Sequence, residues 1–302
     1  MMPTTAGISV AEIRSKIDKI ETLPSLPAIL LPLLKQLNQP LDFVDVPRVV
    51  DLISHDEALA AQCLHMANSS LFGRWQRVDS IRGAVVALGV SRVREIATAC
   101  SLMRLVPVAQ NSIDPQVFWQ HSLGCALVSR RLAKIVRFKD PEKAYLGGLL
   151  HDIGLIANVL IAPVEFAQVI EIARREGLPL EDAERQVLGY THSLSGEALA
   201  MRWSLQPSIA EVVRRHHDVL NAINAPALTS LVSLSDMVCR MCRMGHGYPE
   251  KREFNFAEEP AWPILAAEYP TLQHYGWRGF TAELSAYVLE VQRLVNVLFR
   301  VH

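Results

Sequence analysis

The chain has 302 residues, of which 50% are hydrophobic and 20% are charged, so it can bury a large core and lacks the composition of a disordered protein. Its formal net charge of −1 provides no overall attraction to nucleic acid or to an anionic membrane surface. The five cysteines, the absence of a signal-peptide pattern at the start and the shortness of the apolar runs predict a cytoplasmic protein with reduced thiols and no membrane segment.

The hydrophobic pattern is helical along the whole chain. Apolar residues recur at intervals of three and four, and no stretch shows sustained period-two alternation, so we expect about a dozen helices and no strands. Asp114-Pro115 and Asp140-Pro141 mark two helix starts, because each places a capping aspartate before a proline in the first turn. The predicted fold class is all-α.

Two metal-ligating side chains, His151 and Asp152, are adjacent in an otherwise apolar run. An isolated buried carboxylate is costly even after the protein relaxes, and a divalent cation would satisfy both groups. Because neighbouring helical residues point about 100° apart, the pair can bind one ion from two sides or reach two neighbouring ions.

Further candidate ligands lie in segments that we also expect to be helical. They are His121, His192, His216, His217 and Asp236. A single histidine on an apolar helix face is usually a hydrogen-bonded core residue, but one apolar stripe cannot bury both members of an adjacent pair. Together with His151 and Asp152, the set predicts one or two divalent transition-metal ions in the core of a helical bundle, with Fe or Mn favoured and Zn as the alternative. We expect only local contacts for His55 and His65.

The order of these candidates resembles the ligand series of the HD superfamily of metal-dependent phosphohydrolases, most closely its HD-GYP cyclic-dinucleotide phosphodiesterases. Several longer motifs are similar to those of the HDOD family. These motifs are Leu23–Ala28, Leu52–Leu59, Met66–Gly73, Ile81–Gly89, Gly147–Gly154 and Trp203–Ile209. The resemblance implies an HD-type helical fold with an additional N-terminal helical lobe.

We therefore expect an HDOD-like domain over residues 20–218. Its N-terminal helical lobe would span residues 20–112 and pack against a metal-bearing lobe at residues 113–218. Residues 219–302 would form a C-terminal helical extension that packs on the metal-bearing lobe and supplies Asp236.

The chain departs from the HD-GYP pattern at the position whose side chain contacts the substrate phosphate in those enzymes. Leu155 stands where those enzymes carry a lysine, and Gly247-Tyr248-Pro249 lies so far beyond His217 that we interpret it as coincidental. Arg214 and Arg215 are candidate replacements for the missing cation. Losing one electrostatic group costs ~2.7–4 kcal/mol of transition-state stabilisation, so we expect slow hydrolysis or none.

The HDOD resemblance implies a bacterial signal-transduction output protein that acts mainly through contacts with signalling proteins, without nucleic-acid or membrane partners. The alternative is a metal-dependent phosphohydrolase or phosphodiesterase that acts on a nucleotide or another phosphoester, with Asp152 as the candidate catalytic residue bridging two metals. A sensor whose metal or redox state alters partner binding is a third function that fits a His/Asp site.

Overall fold

The computed structural model describes residues 10–19, 45–56, 59–61, 63–64, 68, 78–90, 93, 97, 112–252, 255 and 258–299. Within these residues, thirteen α-helices have defined bounds and no strand occurs, which confirms the all-α prediction. The helices are α1 (Val10–Asp18), α2 (Val46–Ser54), α3 (Ile81–Leu88), α4 (Pro115–Val136), α5 (Pro141–Leu150), α6 (Ile153–Ile161), α7 (Pro163–Glu176), α8 (Leu180–Val187), α9 (His192–Arg202), α10 (Pro207–Arg215), α11 (Pro226–Met241), α12 (Ala261–Glu268) and α13 (Thr271–Phe299).

The chain forms two compact units. The larger unit contains Met1–Leu23 and Val108–Gln292, and the smaller contains Pro24–Pro107 and Arg293–His302. The sequence motifs at Leu23–Ala28 and Met66–Gly73 lie almost entirely outside the described residues. The expected domain boundaries and the packing of the two lobes stay predictions.

In the smaller unit, α2 and α3 contribute to one hydrophobic core. Its buried side chains include Val49, Ile53, Leu59 and Val85. His55 follows α2, is largely exposed and has its Nδ1 2.7 Å from the carbonyl oxygen of Asp51, the local contact expected for it. His65 lies outside the described residues.

Both helix starts predicted from Asp-Pro pairs are confirmed in the larger unit. The carboxylate of Asp114 accepts a hydrogen bond from the backbone N–H of Gln116 at 2.8 Å, at the start of α4. Asp140 accepts from the backbone N–H of Lys143 at 3.0 Å, at the start of α5. Each cap satisfies a backbone donor that has no partner within its helix.

Two glycines allow the helices around the candidate ligands to pack closely. A Cβ at Gly148, on α5, would lie 2.7 Å from the carbonyl oxygen of Cys125 on α4. A Cβ at Gly154, on α6, would overlap the carbonyl oxygen of His192 at the start of α9. Glycine at these positions therefore brings α4, α5, α6 and α9 together around the residues between α5 and α6.

The first helix belongs to the larger unit, where it packs against α9. The guanidinium of Arg202, at the end of α9, donates a hydrogen bond to the carbonyl oxygen of Ile17 at 2.8 Å. Ile13 and Ile17 are both completely buried. The N-terminal helix thus completes the core beside α9 and α6.

One helical segment, Pro141–Ile161, is long and apolar enough to cross a membrane among the residues that the structure describes. It comprises α5, the His151-Asp152 pair and α6, and 89% of its most apolar window is buried inside the protein. Its apolar side chains therefore form part of the core.

Candidate metal centre

His151 and Asp152 lie at the junction of two helices. His151 directly follows α5, and Asp152 directly precedes α6, where its side chain makes no capping hydrogen bond. Both side chains are almost completely buried. The break between the helices leaves both oxygens of the Asp152 carboxylate free to face other side chains.

The Oδ2 atom of Asp152 faces a first group of side chains. It lies 3.3 Å from Nε2 of His121 on α4 and 3.2 Å from Nε2 of His151. Asp236, on α11, completes the group, with its Oδ1 3.2 Å from Nε2 of His121 and 3.9 Å from Nε2 of His151. These four side chains form the first donor set.

The Oδ1 atom of Asp152 faces a second group. Nε2 of His192 lies 3.3 Å from this oxygen, and Nε2 of His216 lies 3.4 Å from it. Nε2 of His217 lies 3.2 Å from Nε2 of His192. Asp152, His192, His216 and His217 form the second donor set, so Asp152 belongs to both sets, one oxygen to each.

Four of the imidazoles are oriented by hydrogen bonds on the side away from the centre. Nδ1–H donates to a carbonyl oxygen in His121 (Met244, 2.6 Å), in His151 (Gly148, 2.8 Å) and in His216 (Val213, 3.0 Å). In His192 it donates to the buried carboxylate of Glu184 at 2.7 Å. Such partners fix the tautomer of a metal-ligating histidine and leave Nε2 as the donor atom for the metal.

The first donor set is held by strong mutual electrostatics. Burial would raise the pKa of Asp152, but the imidazoles of His151, His121 and His192 close to its oxygens hold it well below its usual range. Burial disfavours protonation of His121, yet the nearby carboxylates of Asp152 and Asp236 raise its pKa well above the ordinary value. Burial would likewise raise the pKa of Asp236, but Arg240 and His121 hold it well below its usual range. Both carboxylates are therefore ionised and available to a cation.

The histidines of the second donor set differ in the direction in which their pKa values are shifted. Burial opposes the charged form of His192, but the charge of Glu184, its hydrogen bond to His192 and the nearby Asp152 carboxylate raise the pKa of His192 well above the ordinary value. Burial lowers the pKa of His216 and His217, and like charges on neighbouring imidazoles add to the effect. His216 and His217 are thus neutral at physiological pH, the state in which an imidazole binds a metal.

The arrangement fits two divalent metal ions. Among the residues that the structure describes, the buried Asp152 Oδ1 and Asp236 Oδ1 have no hydrogen-bond partner, although each lies within 3.4 Å of at least one imidazole nitrogen. Burying an unpartnered carboxylate oxygen is costly, and a cation between these groups would remove the cost. The donor atoms of each set, nitrogen and oxygen, suit Mn, Fe or Zn. That the seven residues bind metal stays a prediction, but the structure brings all seven together.

Two side chains beside the first set were missed by sequence reasoning. Nε2 of His246, in the loop after α11, lies 3.0 Å from Oδ2 of Asp152. The Sγ of Cys125 lies 3.7 Å from His121 Nε2, but burial and the neighbouring Cys239 raise the pKa of its thiol well above the usual value, so it is protonated. The sequence signal that could have drawn attention to this loop is the Gly247-Tyr248-Pro249 run, which directly follows His246.

A pocket of about 450 Å³ opens onto the second donor set. Its lining includes His216, His217 and Asp236, together with the arginines Arg185, Arg240 and Arg252. Each of these arginines is paired with carboxylates. Arg240 contacts Asp236, Glu181 and Glu250; Arg252 contacts Glu259 at 3.1 Å; and Arg185 contacts Asp182 at 2.6 Å.

The residues considered as phosphate-binding groups lie elsewhere. Leu155 is completely buried in α6 and is not among the residues that line this pocket. Arg214 pairs with Glu197 at 3.0 Å, and Arg215 pairs with Asp218 at 2.7 Å. Neither arginine lines the pocket, so the cations beside the candidate centre are different from the two suggested by the sequence.

Comparison with known proteins places the chain in a family. The HDOD domain model matches residues 23–219. An HDOD domain protein from Geobacter sulfurreducens, of unknown function, is 29% identical; the match covers 97% of this chain and 98% of that one, with a TM-score of 0.81. A protein from Marinobacter aquaeolei named "Putative signal transduction protein" is 19% identical with a TM-score of 0.75, over 96% of this chain and 66% of that one.

A curated relative is considerably longer than this chain. An uncharacterized protein of Treponema pallidum (strain Nichols) is 26% identical over 225 residues, which are 74% of this chain but only 43% of that protein. The chain thus corresponds to less than half of this relative. The match of the family model over most of the chain and the all-α HD-type fold agree, and the protein belongs to the HDOD family.

Proposed function

We propose that this protein is a signal-transduction output module whose HD-type centre binds two divalent transition-metal ions and which acts mainly through contacts with signalling proteins. The observation that carries the metal part of the proposal is the position of Asp152, whose two oxygens face two separate sets of histidines. Membership of the HDOD family supports the regulatory part.

The paired state of the pocket arginines favours regulation over rapid turnover. Arg240 is buried between Asp236, Glu181 and Glu250. Burial alone would lower its pKa, but these three negative charges hold it well above the usual value. A phosphate would have to compete with these carboxylates for the guanidinium. We therefore expect a weaker phosphate clamp than an uncommitted lysine would provide.

A second function, phosphoester hydrolysis, is favoured by the pocket itself. Metals in a paired site would supply a water molecule activated for attack and a Lewis acid for the phosphoryl oxygen. Asp152 would hold the two sites together, while His216 and His217 would present the second site to the pocket. A pocket of about 450 Å³ is large enough for a nucleotide-sized ligand.

Metal analysis together with a phosphoester panel tests both functions. Purified protein should contain close to two metal ions per chain, and Asp152→Ala should lose them, whereas Asp51→Ala, an exposed aspartate of the smaller unit, should keep them. Turnover of cyclic dinucleotides, nucleotides and simple phosphoesters should stay far below ordinary enzymatic rates of ~1–10³ per second. Turnover within that range that disappears in Asp152→Ala would establish the enzyme instead.

A further inference from the structure

We propose that His246 is an additional ligand of the metal held by the first donor set, and that it leaves this metal with fewer positions for external ligands than the second metal has. The inference rests on the proposed metal centre and adds a residue to it. With His246, the first metal would have donor atoms from five side chains, namely His121, His151, Asp152, Asp236 and His246.

The position of the His246 ring carries the proposal. Its Nε2 lies 3.0 Å from Oδ2 of Asp152, the same oxygen that faces His121 and His151. The ring centroid is 4.8 Å from that of His121, and only 7% of the side chain is exposed. Donor atoms of His121, Asp152 and His246 lie within 4.8 Å of one another, which is close enough for a shared ion.

The loop that carries His246 is anchored on both sides of it. Before it, the carbonyl oxygen of Met244 accepts the hydrogen bond from Nδ1–H of His121 at 2.6 Å. After it, the hydroxyl of Tyr248 donates to the carbonyl oxygen of Leu178 at 3.0 Å. Gly247 has φ +85°, a conformation that favours glycine, and this turns the chain directly after the histidine. The loop therefore presents the imidazole to the centre in a defined position.

The consequence is an asymmetry between the two metals. Structural metal sites have all positions filled by protein, whereas sites that exchange ligands keep one open. The first metal would have five protein donors, and the second only four, from Asp152, His192, His216 and His217. Two of those four residues, His216 and His217, line the pocket, whereas Asp236 alone represents the first set there. An incoming anion would therefore bind at the second metal.

A simpler alternative is that His246 only donates a hydrogen bond to Asp152. Glutamine separates the two interpretations, because its amide can donate to Asp152 but lacks the imidazole nitrogen that binds Mn, Fe or Co. Removing an outer-shell partner already lowers metal affinity about 10–100-fold, so loss of a direct ligand should lower the affinity of one site by at least that much.

The experiment compares wild-type protein with His246→Gln, His246→Ala and the loop control Tyr248→Phe. Each is loaded with cobalt(II), titrated with a competing chelator and examined by visible absorption, whose intensity reports the coordination number. Circular dichroism of the metal-free proteins checks folding. We expect both His246 variants to bind one of their two metals at least 10-fold more weakly with a changed cobalt spectrum. Tyr248→Phe, which removes only one anchor of the loop, should lose less affinity and keep the wild-type spectrum.

Each other outcome would overturn the inference. If glutamine keeps the wild-type affinity and spectrum while alanine does not, His246 acts as a hydrogen-bond donor. If both variants keep two metals with unchanged affinity, His246 has no role at the metal. If Tyr248→Phe weakens binding equally, loop integrity is responsible. Wild-type protein that binds no metal would instead refute the metal centre on which the inference rests.

Discussion

The carboxylate of Glu184, which is hydrogen-bonded to His192, should control the affinity of the protein for only one of the two metals. Glu184 is completely buried, and its Oε2 accepts hydrogen bonds from Nδ1–H of His192 at 2.7 Å and from the backbone N–H of His192 at 2.9 Å. Its Oε1 accepts from the side-chain amide of Asn158 at 2.8 Å. All four side chains of the first donor set lie outside this network of contacts to Glu184.

Glu184→Gln removes the charge and can keep the hydrogen bonds. The new carbonyl oxygen can accept from His192, while the new amino group can donate to Oδ1 of Asn158 once the Asn158 amide turns over; this oxygen has no hydrogen-bond partner in the described part of the chain. A hydrogen bond to a charged group contributes about 1.5–3 kcal/mol against about 0.5–1.5 for a neutral one. The difference, about 1–1.5 kcal/mol, corresponds to roughly 5- to 13-fold weaker binding of the second metal. Glu184→Ala, which removes every contact, should weaken it by about 10–100-fold.

Chelator titration of protein loaded with two metals measures both affinities. We expect the affinity for one metal to increase in the order Glu184→Ala, Glu184→Gln, wild type. The affinity for the other metal should be the same in all three proteins. Equal weakening of both metals, or an alanine variant with wild-type affinities, would show that the Glu184–His192 hydrogen bond does not act on a separate second site.

Three further predictions concern the centre and its surroundings. Asp152→Ala should lose both metals, so that added metal no longer raises its melting temperature in calorimetry. The melting temperature of the wild-type protein should rise with metal. A metal-dependent rise that persists in Asp152→Ala would contradict the bridging role. Because the pKa values of His121 and His192 are raised in the metal-free protein, their contribution to its stability is present below pH ~6.5 and is lost as pH rises through the raised values. Metal binding needs both rings neutral, so metal uptake near pH 7 should release protons, seen as a buffer-dependent enthalpy in titration calorimetry; a buffer-independent enthalpy would disprove it. Gly154→Ala should destabilise the protein by about 1–3 kcal/mol, because its Cβ would overlap the His192 carbonyl oxygen, and an unchanged unfolding midpoint in urea would rule out the close approach.

Much of the candidate site could be predicted because its residues carry local signals. An adjacent pair such as His151 and Asp152 in an apolar run cannot be buried without partners, so the sequence alone indicates a cation. The Asp-Pro pairs at Asp114 and Asp140 likewise fix helix starts through contacts within one turn. The helical period and the order of the motifs then predict the HD-type fold.

The remaining features depend on contacts that no local pattern encodes. His246 reaches Asp152 from a loop 94 residues later in the chain, and its position is determined by Met244 and Tyr248 rather than by a helical period. Arg214 and Arg215 adjoin the histidine pair in sequence, yet both form ion pairs with other acidic side chains. Tertiary packing decides which cations line the pocket, and the spacing of residues along one helix does not reveal that packing.

The contact between the first helix and α9 has a consequence for how the protein is made. The hydrogen bond from Arg202 to Ile17 joins residues 185 positions apart. At a synthesis rate of ~5–20 residues per second, the ribosome needs roughly 10–40 s to produce the partner of α1 after α1 itself. During that time Ile13 and Ile17 lack the surface that buries them, and closing so long a loop slows folding further. The nascent chain therefore leaves the apolar face of this segment uncovered, and chaperones can recognise it until the HD-type core is complete.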